Sequence, residues 1–142
     1  MKLKNLPIAS LAMSRTKKPT QHKLLYSDAT LKQGAWVNHK GTVRIFPIRG
    51  SFQRDTLHAE FFAAYRAVVD NGGYNEHIDL RCDHEGVCLM LNCRAAAHPK
   101  RYENVNTLLL KLLSWMEARK IVLSAFWIPS DFNLADSPSR ST

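Results

Sequence analysis

Four acidic residues stand where the chain can least easily solvate them. Asp28 ends the short apolar run Lys23-Leu-Leu-Tyr-Ser27, Glu60 lies in the first turns of a helical pattern, Asp83 ends the run that begins at Ile78, and Asp136 follows the last strand-like segment. A carboxylate removed from water is costly unless it meets a cation, so four at such places imply a shared metal. Brought together without one, they would repel and raise each other's pKa. Hard oxygen ligands favour Mg²⁺ or Mn²⁺. Two such ions about 4 Å apart can activate a water on one side of a phosphodiester and stabilise the leaving oxygen on the other. Phosphodiester hydrolysis is the chemistry implied. Each acid alone has an ordinary explanation as a turn residue, a helix cap or a solvated helix position. Asp79 and Glu85 compete with Asp83, and Asp131 with Asp136; the joint order along the chain favours the quartet.

The elements that must carry these residues follow from periodicity. Lys23 to Ser27 reads as a strand. Ala35-Trp-Val37 and Thr42 to Ile48 flank Asn38-His-Lys-Gly41, which has the composition of a hairpin loop, giving three antiparallel strands. From Asp55 or Thr56, either able to cap, Leu57, Phe61, Ala64, Tyr65 and Val68 recur at helical spacing until Gly72-Gly73. Ile78, Leu80 and Cys82 alternate with Asp79 and Arg81, the mark of a strand that delivers Asp83 to its end, and Glu85 to Leu91 reads as a short helix. Residues 92–103 form a loop with a basic knot at Arg94, Lys100 and Arg101. Val105, Leu108, Leu109, Leu112, Leu113 and Met116 stripe a second long helix, Ile121 to Ile128 is a strand stopped by Pro129, and a last helical turn holds Asp136. The order β-β-β-α-β-α-α-β-α predicts an α/β domain with a five-stranded mixed sheet, its three antiparallel strands first, and helices on both faces. Trp36, Trp115 and Trp127 are expected in the sheet-helix interior.

Composition bounds the rest. With 142 residues, 45% of them hydrophobic, the chain fits one domain, placed at residues 23–140 after a basic arm at 1–22. The net charge of +8 is concentrated: residues 1–23 carry +6 and no acid, while residues 24–142 carry +2. Such an arm attracts nucleic-acid phosphates or links to a preceding domain, readings favoured over a mitochondrial transit peptide. No apolar run approaches the roughly 18 residues of a membrane span, so no membrane association is expected. Cys82, Cys88 and Cys93 are odd in number and clustered, as reduced packing thiols in a cytoplasmic or nuclear protein would be. His84, Cys88, Cys93 and His98 lack a standard zinc spacing, and a zinc site there is not favoured.

Four blocks resemble the acidic motifs of ribonuclease H domains attached to reverse transcriptases: Tyr26-Ser-Asp28-Ala-Thr with Gly34-Ala-Trp, Leu57-His-Ala-Glu60-Phe-Phe-Ala, Cys82-Asp83-His-Glu, and Ile128-Pro-Ser-Asp-Phe-Asn-Leu-Ala-Asp136-Ser-Pro-Ser-Arg140. The resemblance spans about residues 23–140. The last block is similar to hepadnaviral and DIRS-type polymerases, and the Asp83-His84 pair to gypsy-type elements. The resemblance implies a type 1 ribonuclease H fold and endonucleolytic cutting of the RNA strand of an RNA:DNA hybrid. It implies Asp28, Glu60, Asp83 and Asp136 as catalytic ligands of two Mg²⁺ or Mn²⁺ ions, with Asp28 bridging both. Arg94, Lys100, Arg101 and Asn133 would contact substrate, with a polymerase domain as partner in the parent protein and the domain itself monomeric. Two alternatives stay open: a weak or inactive nucleic-acid-binding scaffold, and a DNA-directed nuclease or transposase of the same fold. One departure is visible. Many members carry a histidine before the last acid that helps product leave, and the loop Pro129 to Ala135 has none.

Overall fold

The computed structural model describes residues 21–141. The arm expected at residues 1–22 therefore lies almost wholly outside the described residues. Five strands form one sheet in the order β3-β2-β1-β4-β5. Strands β1 (Gln21–Ala29), β2 (Gln33–Val37) and β3 (Val43–Pro47) make an antiparallel meander, while β4 (Glu76–Cys82) and β5 (Ile121–Trp127) continue the sheet in parallel with β1. Helices α1 (Thr56–Asn71), α2 (Glu85–Cys93) and α3 (Glu103–Arg119) follow in chain order, and a short α4 (Asp136–Arg140) ends the described chain. The element order matches the sequence expectation throughout, with 3-10 turns added at Gly50–Gln53 and Ser130–Phe132.

Local chemistry explains the boundaries. In the β1–β2 connection the Thr30 hydroxyl accepts from the backbone N–H groups of Lys32 and Gln33. Gly34 is required by close approach, since a Cβ there would lie 2.5 Å from the Phe46 ring on β3. The hairpin loop turns on the Asn38 side chain, which accepts from the N–H groups of Lys40 and Thr42, and on Gly41 at a positive φ of 81°. Asp55, not Thr56, caps α1, its carboxylate accepting from the His58 N–H at 3.0 Å. His84 caps α2 through its ring, which accepts from the Val87 N–H.

The core lies between one face of the sheet and helices α1 to α3. Leu25, Ile78, Leu80 and Leu123 from the strands meet Phe61, Ala64 and Val68 of α1, Val87 and Leu91 of α2, and Val105, Leu109, Leu112 and Met116 of α3. A smaller cluster of Tyr26, Ala35, Val37 and Ala135 packs where the α4 segment crosses the opposite face over β1 to β3. Helices thus lie on both faces, as expected. Trp36 is buried, and its indole donates to Asp70. Trp127 corrects the sequence reading: it is the last residue of the edge strand β5 and is half exposed, its indole donating to the Asp83 carbonyl.

Candidate active site

The two central parallel strands end together. Asp28 falls at the next-to-last residue of β1 and Asp83 immediately after β4, so sheet pairing alone places them side by side. Asp136 opens α4, which is held against β1 by buried hydrogen bonds. The Asn133 side chain donates to the Ser27 carbonyl at 2.9 Å and accepts from the Ala135 N–H at 3.0 Å, and the Ser139 hydroxyl lies 3.3 Å from Asp28 Oδ2. Carboxylate oxygens of Asp28, Asp83 and Asp136 come within 4.8 Å of one another. Glu60 lies outside that group of three; from the second turn of α1 its carboxyl approaches Asp28, within reach of a shared proton.

The electrostatics are those of a crowded anionic cleft. Burial pushes Glu60 up to about 11, reinforced by its hydrogen bond to Asp28 and the charges of Asp28 and Asp83. Burial also raises Asp28, against a lowering hydrogen bond from Glu60 and with raising contributions from Asp83 and Asp136, to about 6. The protein alone therefore relieves its carboxylates by keeping a proton among them. Glu60 Oε1 is buried with no hydrogen-bond partner. An all-oxygen donor set, an orphaned buried oxygen and carboxyls forced to hold protons all fit hard divalent cations.

Of the expected substrate residues, the structure brings two together. Lys100 and Arg101 line a surface depression of about 550 Å³ with Arg54, Asp55 and His98. It adjoins the cap of α1, and Asp55 precedes Glu60 by five residues, about 7.5 Å along the helix axis. Arg94 lies apart: it occupies the left-handed C-cap of α2 and lines a different depression with Met116, Glu117, Lys120 and Ile121. Asn133 is 5% exposed with both halves of its amide engaged within the chain, between β1 and the start of α4. Sequence reasoning assigned no role to Ser139. Its place beside Asp28 rests on a contact between residues 111 apart, and the Ser-Pro-Ser-Arg block was its only signal. His84, Cys88, Cys93 and His98 do not converge; among the described residues, metal-capable groups meet at the carboxylates and at one other place.

Compared by sequence, the chain matches no protein-family model and no curated protein. Compared by structure, it resembles RNase H1 from the halophilic archaeon Halobacterium salinarum NRC-1 with a TM-score of 0.60 at 19% identity, over 82% of this chain and 92% of that one. LC11-RNase H1 in complex with an RNA/DNA hybrid matches with a TM-score of 0.61 at 16% identity, over 81% and 91%. A foamy viral protease-reverse transcriptase dRH in complex with double-stranded DNA matches at 0.51 and 14%, over 78% of this chain but 21% of that one. The chain has the ribonuclease H fold.

Proposed function

We propose that this domain is a divalent-metal-dependent nuclease that hydrolyses the RNA strand of RNA:DNA hybrids, and that it derives from a retroelement or viral reverse transcriptase. The observation that carries this reading is the convergence of Asp28, Asp83 and Asp136, with Glu60 against Asp28, at the shared end of two parallel strands. The block from Ile128 to Arg140 supports the retroelement origin. Asp28, Glu60, Asp83 and Asp136 would hold two Mg²⁺ or Mn²⁺ ions. Bound there, such ions supply an activated water and charge stabilisation at the leaving oxygen. The chain's own contribution is position. β1 and β4 fix two carboxylates, Asn133 and Ser139 fix α4 and with it the third, and α1 fixes Glu60. Lys100 and Arg101 would hold substrate phosphates beside this cleft. Selectivity for RNA would come from its 2′-hydroxyls and from hybrid groove width. The setting proposed is a cytoplasmic or nuclear replication complex.

A hybrid with a labelled RNA strand tests the reading. In Mn²⁺ the protein should cleave that strand, and Asp83→Asn should lower the rate by on the order of 1,000-fold, the several kcal/mol that metal ligation supplies. If the hybrid stays intact while a control nuclease cuts it, the enzyme reading fails for this chain. Cleavage of duplex DNA instead would make it a DNA-directed nuclease of the same fold.

A further inference from the structure

The sheet has a second cluster of metal-capable side chains at its other end, on the face not covered by α1 to α3. His22 on β1 and His77 on β4 are register partners, Asp79 stands two residues beyond His77, and Ser124 on β5 is the register partner of Asp79. Alternation along each strand sends all four side chains to one face, because Ile78 and Leu80 between and beyond them point into the core. His22 Nδ1 lies 3.5 Å from Asp79 Oδ2, His77 Nε2 lies 3.3 Å from Asp79 Oδ1, and Ser124 Oγ lies 3.1 Å from His77 Nε2. The ligand atoms of the two histidines and the aspartate all fall within 4.8 Å of one another.

We propose that His22, His77 and Asp79 form a second metal site, for a borderline transition ion of the Zn²⁺ class, with Ser124 or water completing its coordination. The histidine–aspartate distances are compatible with such an ion. Bonds of about 2.0–2.1 Å in tetrahedral geometry separate ligand atoms by about 3.3–3.4 Å, close to the two histidine–aspartate separations. Two imidazoles and one carboxylate are the donors such ions favour, whereas Mg²⁺ favours the all-oxygen cluster. The two rings are stacked at 4.6 Å between centroids, which holds both imidazoles side by side on the sheet. Six residues separate His22 from Asp28 along β1 and His77 from Asp83 along β4, about 20 Å in each case, so the two sites are distinct. A metal here would tie the start of β1 to β4.

The test uses tag-free protein stripped with a chelator and then held in excess Mg²⁺, so that the carboxylate cluster is saturated. Zn²⁺ is titrated against a chromogenic competitor, and Co²⁺ is used in parallel as a visible-absorption probe of coordination. One equivalent of Zn²⁺ should bind and raise the melting temperature, with affinity weakened at least about tenfold in His22→Ala. That variant removes an exposed ring and leaves the core intact; Asp79→Asn should act the same way. Absence of stoichiometric Zn²⁺ binding overturns the proposal. So does unchanged binding in His22→Ala, or binding that is lost only when Asp28 and Asp83 are substituted.

Discussion

Glu60 governs how the metal-free site behaves. Its folded pKa of about 11 stands well above the ordinary carboxyl value of 4.5, and that of Asp28, at about 6, stands above 3.8. For both groups the folded state binds more protons than the unfolded state between the two values. Their contribution to stability is therefore fully present at low pH and is lost as pH rises through that window. Asp55 has the opposite sign. Burial would raise it, but hydrogen bonds from the His58 side chain and backbone hold it at about 2, so its contribution disappears only as pH falls below about 4. In a chelator, the melting temperature should fall between pH 5 and pH 8, and excess Mg²⁺ should flatten that slope; a rise over the same range would contradict the assigned protonation. Metal loading requires ionised carboxylates. Calorimetry at pH 7 in buffers of different ionisation enthalpy should therefore report release of about one proton, chiefly from Glu60, and Glu60→Gln should abolish that release.

At the scale of elements, α4 matters more than its five residues indicate, because it carries Asp136 and is anchored by hydrogen bonds of Asn133, Ser139 and Gln33 beside the small apolar cluster around Ala135. Replacing Asn133 by Ala leaves a buried carbonyl of Ser27 and the Ala135 N–H unpaired, a loss of about 1–3 kcal/mol. The expected signature is weaker metal binding in calorimetry together with a lowered denaturant midpoint. A change in stability with metal affinity untouched would show that Asn133 does not position Asp136. The elements themselves were legible from sequence, since β4 and α3 have strong periods and Asp28 and Asp83 fall at the ends of β1 and β4. What connects elements was not. Arg94, Lys100 and Arg101 read as one basic knot, but the left-handed turn at Arg94 sends the loop away from α2 and separates it from the other two. His22 and His77 are 55 residues apart, and only the parallel register of β1 with β4 makes them neighbours. Asn133 reads from sequence as a substrate contact, and its burial is not visible there because loop sequence carries no mark of it.

At the scale of the molecule, the proposed function requires a polyanion to reach an anionic cleft. The carboxylates alone would repel a phosphodiester, and in that reading the basic depression formed by Arg54, His98, Lys100 and Arg101 beside the α1 cap would offset the repulsion. Arg101 is held there by an ion pair to Asp55 at 3.3 Å while staying largely exposed, so its guanidinium can exchange that partner for a phosphate. Contacts of this kind release counterions, and each one lost flattens the dependence of affinity on salt. Hybrid binding measured across a salt series in Ca²⁺, which occupies oxygen sites without supporting fast turnover, separates the basic groups. The paired substitution Lys100→Ala with Arg101→Ala should weaken binding and reduce the log–log salt slope by roughly two units, one for each phosphate contact removed. Arg94→Ala, which alters a depression lined by α3 and the start of β5, should leave the slope unchanged. If Arg94→Ala flattens the slope as much as either of the other two, the hybrid runs across the α2–α3 face instead of past the cap of α1.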